Sequence, residues 1–172
     1  MKNKSFSIWL IGPTASGKST VAKLIYDKIN KFYSNLVILD GDELRDLYDN
    51  KLGYDLEARK KNMQRYIKLS KWLQNHNINI IAAINGAIQS DRDLLRKEIK
   101  DYNEIYLNCS LEKRIKRDKK KLYERALKGE IKNVLDVDIP FEKPTNCDLE
   151  CNADIQSPEE VANQIISFKK LI

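Results

Sequence analysis

The chain has 172 residues, 42% of them hydrophobic and 33% charged, with a formal net charge of +6. That length and apolar content suit one domain over residues 1–172 and exclude wholesale disorder, and no apolar run is long enough to cross a membrane, so no membrane partner is expected. The positive charge is mostly lysine scattered along helical stretches without interleaved aromatics, which suits small polyanionic ligands and not a nucleic acid partner.

Residues 1–4 run directly into the first predicted strand with no room for a cleavable signal, so the expected compartment is the cytoplasm. That strand covers 6–11 and ends at Gly12, which opens a loop through Thr14, Ala15, Ser16, Gly17, Lys18 and Ser19 to Thr20. Gly12, Gly17, Lys18 and Ser19 fall at the G-x-x-x-x-G-K-[ST] spacing. A strand before the loop and a helical pattern after it distinguish a phosphate-binding loop from an ordinary glycine turn. Free of bulky side chains, such a loop turns its N–H groups inward at phosphate oxygens, and the helix N-terminus adds partial positive charge. The residues named from Gly12 to Thr20 are therefore candidates for holding ATP. Lys18 supplies a full charge to the β and γ phosphates, and the Ser19 hydroxyl is an oxygen ligand for the accompanying Mg²⁺.

A helix over 21–32 follows, with Val21, Leu24, Ile25 and Ile29 on one face, and then a short buried strand over 36–39. The strand ends in Asp40-Gly41-Asp42, where another helix begins. Asp40 and Asp42 lie on the same sheet edge as the phosphate loop, where one carboxylate can orient the metal's water shell and another can accept a proton from an attacking hydroxyl. Either carboxylate also suits a helix N-cap, and the two roles can coexist. A helix over 56–75 should turn Met63, Tyr66, Ile67, Trp72 and Leu73 toward the core.

Residues 78–84 form a nearly continuous apolar strand, 91–100 a helix and 104–107 a further strand. A basic helix is expected from 111 through 128, followed by a turn-rich loop over 129–144. Residues 148–151 suit a last short strand, and Ser157, Pro158 and Glu160 mark a helix start with a capping box. Cys109, Cys147 and Cys151 are odd in number with no C-x-x-C pair, which fits reduced thiols. With His76 they lack the spacing of a zinc site. The alternation predicts an α/β fold with a parallel five-stranded sheet, helices on both faces and ligands at the strands' carboxyl ends.

Beyond the phosphate loop, several segments follow in order: Leu39-Asp40-Gly41-Asp42-Glu43-Leu44-Arg45, Leu52-Gly53-Tyr54, Arg59-Lys60-Lys61-Asn62, Ser90-Asp91-Arg92-Asp93, Leu122-Tyr123, Gly129-Glu130-Ile131-Lys132-Asn133 and Asp138-Ile139-Pro140-Phe141-Glu142-Lys143-Pro144. Together they resemble the adenylylsulfate kinase family across nearly the whole chain. The resemblance implies a P-loop nucleotide-kinase fold that uses MgATP to phosphorylate the 3′-hydroxyl of a nucleotide acceptor, and it admits a homodimer, which the family commonly forms. It places Asp42 beside the accepting hydroxyl, and Arg45, Arg59 and Asn62 at the acceptor's phosphate-linked end. Lys132 becomes a lid lysine over the phosphates, so Asp42, Lys18 and Lys132 are the catalytic candidates. Arg117, with Asp118, starts a lid of about 117–144 over the ATP base. Tyr54 stands where the family usually stacks a phenylalanine on the acceptor base.

The pattern breaks in one place. Where the family reads Phe-Ile-Ser-Pro-Tyr-Arg before its Asp-Arg, this chain reads Ile84-Asn85-Gly86-Ala87-Ile88-Gln89, and the aromatic expected after Lys-Asn is Val134. Asn85, Gly86 and Val134 thus fall in the expected acceptor pocket. Losing one aromatic face removes about 1–3 kcal/mol of base stacking, and losing an arginine removes a charge-assisted grip on an anion. A branch of the family that phosphorylates cytidine diphosphoramidate during assembly of phosphoramidate-decorated capsular polysaccharide fits these changes, through a smaller pyrimidine and a less anionic end group. Adenylylsulfate itself is the alternative acceptor. An ATP sensor without turnover is the alternative of another class, and a kinase of a sugar or shikimate-like acid lacks the later segments.

Overall fold

The protein is described by a computed structural model over residues 5–49 and 51–172, so the expectation for residues 1–4 lies outside the described residues. Five parallel strands form one sheet in the order β2-β3-β1-β4-β5. They are β1 (Ser7–Ile11), β2 (Leu36–Asp40), β3 (Asn79–Ile84), β4 (Tyr102–Asn108) and β5 (Leu149–Asn152). In register, Trp9 lies opposite Ala82 on β3 and Glu104 on β4, which puts β1 at the centre. The chain passes from β1 out to β2 and β3, then back across β1 to β4. That reversal opens the crevice where ligands of such sheets sit.

Residues alternate between two cores along β1. Trp9 and Ile11 join one core, with Met63, Tyr66 and Ile67 of α3 (Leu56–Asn75) and Leu95 of α4 (Gln89–Glu98). Ile8 and Leu10 join the other, with Ile25 of α1 (Lys18–Ile29) and Ile165 of α7 (Pro158–Lys169). Both faces of the central strands are therefore dry, which is why β1 and β3 are apolar after their first residues, Ser7 and Asn79. α7 starts as expected: Glu160 N–H donates to Ser157 Oγ and Ser157 N–H donates to the Glu160 carboxylate, with Pro158 at the first helical position.

Two expectations need correction. Trp72 is 58% exposed, although Tyr66 and Ile67 of the same helix are buried. It rests on the His76 ring, with centroids 4.5 Å apart, outside the stripe that faces the sheet. The basic helix from 111 does not reach 128: it divides into α5 (Leu111–Arg117) and α6 (Leu122–Leu127). The break has local causes. Lys121 takes a left-handed conformation at φ 53°, and the Asp118 carboxylate accepts the Tyr123 N–H at 2.8 Å, which caps a new helix start. No helix among the described residues is long and apolar enough to cross a membrane.

Candidate active site

The phosphate loop joins the end of β1 to α1, so its N–H groups gather at the carboxyl edge of the sheet. Gly17, just before α1, has φ +100°, a conformation that strains any residue with a Cβ. Lys18 then opens the helix with its side chain buried, and its ammonium donates to the Pro13 carbonyl at 2.7 Å. Burial lowers the Lys18 pKa from 10.5 to about 8, partly offset by the nearby Asp40 and Asp42 carboxylates.

The second wall comes from β2 and the short helix α2 (Gly41–Asp46). Asp40 does two things at once. Its Oδ1 accepts the Asp42 N–H at 2.9 Å as the N-cap of α2, and its Oδ2 accepts the Ser19 hydroxyl at 2.5 Å. The Asp42 carboxylate stands free of that cap and meets the Lys120 ammonium at 2.9 Å. Lys120 reaches it from the segment between α5 and α6, so this segment crosses to the α2 wall.

A basic and aromatic cluster forms the third wall. The Arg45 guanidinium lies 4.6 Å from the Tyr54 ring centroid and donates to the Gly53 carbonyl at 3.0 Å. With the Asn62 amide oriented to satisfy its neighbours, its oxygen accepts from Arg45 Nη1 at 2.5 Å. Arg59 donates to the Tyr54 carbonyl at 2.7 Å and, across the cleft, to the Asn133 carbonyl at 2.9 Å. Burial and the neighbouring Arg45 lower the Arg59 pKa to about 10. Tyr54 itself is 54% exposed, a wide aromatic face toward the cleft.

These walls enclose a cleft of about 1160 Å³, lined among others by the loop from Thr14 to Thr20, Asp42, Tyr54, Arg117, Lys132 and Val134. An inner pocket of about 150 Å³ lies below it, against Asp40, Asn62, Asn85, Gly86 and Asp91. The structure thus brings the phosphate-loop, α2, Tyr54, Arg59 and lid candidates around one opening. Arg117 is held at its edge, donating to the Ala153 carbonyl at 2.9 Å. One residue from the expected acceptor loop is not brought in. Gln89 is directed away from both pockets and accepts from Arg92 Nη2 at 2.5 Å, because the buried guanidinium needs an acceptor there.

Sequence reasoning missed five residues. Lys120 was one lysine in a run, and nothing local pairs it with Asp42, 78 positions away. Asp91 lines the inner pocket, and burial raises its pKa. Arg114 and Tyr123 form a buried relay: Arg114 Nη1 donates to the Tyr123 hydroxyl at 2.7 Å, and that hydroxyl donates to the Thr14 carbonyl at 2.9 Å. Arg114 also pairs with Asp136 at 2.8 Å, so one guanidinium ties the 134–139 segment, through Tyr123, to the Thr14 loop. Leu122-Tyr123 was a visible signal without a role. Arg92 is the fifth.

The family model described as adenylylsulphate kinase matches residues 4–152. A curated relative from Campylobacter jejuni named cytidine diphosphoramidate kinase is 38% identical over 171 residues, 99% of each chain. The adenylyl-sulfate kinase of Thermodesulfovibrio yellowstonii is 36% identical over 170 residues, 98% of this chain and 85% of the relative. Among solved structures, the Mycobacterium tuberculosis APS kinase in complex with AMPPNP and APS superposes with a TM-score of 0.90 at 29% identity, covering 97% of this chain and 98% of that one. The phosphate loop, the Asp40-Gly41-Asp42 tip and the lid lie in a chain matched over nearly its full length, and the chain accordingly belongs to the adenylylsulphate kinase family and is a phosphotransferase.

Proposed function

We propose that the chain transfers the γ-phosphoryl group of ATP to the ribose 3′-hydroxyl of a nucleotide, and that the acceptor is cytidine diphosphoramidate, for phosphoramidate-decorated capsular polysaccharide. One observation carries the reading: the Lys18 loop and the Asp42 carboxylate line one cleft that also presents the Tyr54 face and the small Val134 side chain. A pyrimidine needs less stacking surface than a purine, and Val134 offers less than an aromatic. The 38% identity to the Campylobacter jejuni relative supports the same acceptor. A second reading, adenylylsulfate as acceptor, draws on the 36% identity to the Thermodesulfovibrio yellowstonii relative.

In this reading the phosphate loop holds ATP with its N–H groups, and the Lys18 ammonium exchanges its Pro13 carbonyl contact for phosphate oxygens. The Asp42 carboxylate accepts the hydrogen of the 3′-hydroxyl, which aims the oxygen at the γ-phosphorus. Arg45 and Arg59, with Asn62 from the inner pocket, grip the diphosphate end, and Lys120 and Lys132 close over the transferred charge. Ser19 and Asp40 fit a magnesium ion, since a hydroxyl and a carboxylate oxygen 2.5 Å apart form a hard oxygen pair beside the phosphate loop. When bound, the ion neutralises phosphate charge. The same reading makes residues 1–172 one kinase domain with a lid over 117–144, located in the cytoplasm and able to pair as a homodimer.

An ADP-release assay with cytidine diphosphoramidate, CDP and adenylylsulfate as acceptors tests the proposal. The first should show the highest kcat/KM. A preference for adenylylsulfate overturns the acceptor, and ATP binding without ADP release from any of the three overturns the reaction.

A further inference from the structure

Arg92 projects from α4 under the turn at residues 85–89, with no solvent exposure. Its Nη1 donates to the Gly86 carbonyl at 2.5 Å and its Nη2 to Gln89 Oε1 at 2.5 Å. Its Nε faces the Glu104 carboxylate of β4 at 3.4 Å, and Glu104 is itself fully buried and accepts the Tyr102 hydroxyl at 2.8 Å. That Nε and the Glu104 Oε1 face each other as a buried ion pair without a hydrogen bond, so the hold on the turn rests on the fork of two Nη donors, whose partners are costly to remove from a buried charge.

The two groups on that fork come from the two charged or conformationally demanding departures in the acceptor loop. Gly86 has φ +56°, and a Cβ there would lie 2.8 Å from Ile11 Cδ1, so the turn as built requires glycine. In this chain Gln89 supplies that fork with an acceptor, which an arginine or alanine in its place would remove. The other side of the turn is closed by the end of the lid segment, where Glu142 N–H donates to the Ala87 carbonyl at 2.9 Å and the Glu142 carboxylate accepts the Gln89 N–H at 2.5 Å. Asn85 and Gly86 line the inner pocket beside Asn62 and Asp42, so the position of this turn sets the shape of that pocket.

We infer that Arg92 is a positioning residue for the acceptor: by holding the Gly86 carbonyl and the Gln89 side chain on one buried fork, it fixes the turn that shapes the acceptor pocket, and Gly86 and Gln89 act with it as one unit. The inference rests on the proposed kinase reading only in taking the inner pocket as the acceptor side. In that reading ATP is held chiefly by residues 13–20, which adjoin this turn through the Gly12 N–H donating to the Asn85 carbonyl at 3.2 Å, so the acceptor side should respond more strongly than the ATP side.

Hydrogen exchange of the full chain, followed in peptides covering 85–89 and 13–20, tests this together with steady-state kinetics for R92K, Q89A and Q89R. Q89A and Q89R leave the buried Arg92–Glu104 pair in place and keep the test open if R92K fails to fold. Faster exchange at 85–89 with 13–20 unchanged, and an acceptor KM raised about tenfold with the ATP KM within about twofold, are expected, as suits one lost charge-assisted hydrogen bond. Unchanged exchange at 85–89 in both Gln89 variants overturns the inference. So does a parallel loss of ATP and acceptor affinity, which marks a merely structural role. If the wild type turns over none of the candidate acceptors, the proposed function fails, while the exchange readout still decides the fork.

Discussion

The Lys120 ammonium and the Asp42 carboxylate lie 2.9 Å apart, joining the segment between α5 and α6 to the first turn of α2 across the mouth of the cleft. The pair is largely solvated, with side-chain exposures of 70% and 69%, so it contributes little to folding. What it does is hold the Lys120 ammonium beside the group proposed to receive the 3′-hydroxyl. Replacing Asp42 by Asn keeps the shape and removes the proton acceptor and the ion pair. Turnover in the ADP-release assay should fall by at least about a hundredfold, while the thermal midpoint moves by only a degree or two. Near-normal turnover would remove Asp42 from the reaction.

Lys18 gives a pH dependence with a definite sign. Its value falls from 10.5 in the unfolded chain to about 8 in the fold because burial penalises the ammonium. Between those values the unfolded chain binds more protons, so the stability of the nucleotide-free protein should rise as pH increases through that window and stay flat below about 8. Nucleotide binding runs the other way: phosphates need the charged form, so ATP affinity should fall above about pH 8. Urea midpoints and calorimetric ATP titrations at a series of pH values check both. A Lys18→Met variant should lose the rise in stability and nearly all turnover.

The relay from Arg114 through the Tyr123 hydroxyl to the Thr14 carbonyl predicts a linked loss. Tyr123→Phe removes a fully buried hydroxyl and leaves one Arg114 donor and the Thr14 carbonyl without partners. A cost of about 1–3 kcal/mol in urea unfolding is expected, with a higher KM for ATP because the phosphate loop loses its tether to the lid. A changed stability with an unchanged ATP KM would show that the tether serves the core alone.

How much of this was legible beforehand follows the range over which each feature is determined. β1, β3, the phosphate loop and the Ser157 capping box depend on neighbours a few residues away, and their spacing is visible in the chain. Asp40 and Asp42 could be placed on the loop's edge because a parallel sheet sends its strand ends to one side. The Lys120 to Asp42 pair and the Tyr123 to Thr14 bond span 78 and 109 positions, and no local pattern encodes them. The break at Lys121 was hidden because three lysines in a row are good helix formers, while the decisive partner, Asp118, acts as an acceptor for the next helix. The direction of Gln89 is set in a similar way, by the needs of a buried guanidinium from the following turn.

The acceptor base offers a final and selective test. Tyr54 presents an exposed ring to the cleft, and Val134, buried at 9% exposure, lines the same cleft. Val134 is not loose: its N–H donates to Asp138 Oδ1 at 2.6 Å, and the adjoining Asn133 carbonyl accepts from Arg59. A larger ring at 134 would therefore project from a fixed backbone toward the base. Val134→Phe should favour a purine over a pyrimidine, since the added stacking, about 1–3 kcal/mol per base, grows with ring overlap. The ratio of kcat/KM for adenylylsulfate to that for cytidine diphosphoramidate should rise about tenfold or more, and Tyr54→Ala should weaken both acceptors while sparing ATP. Because the measured quantity is a ratio within one variant, a general loss of activity cancels, and only a changed preference for the base can move it.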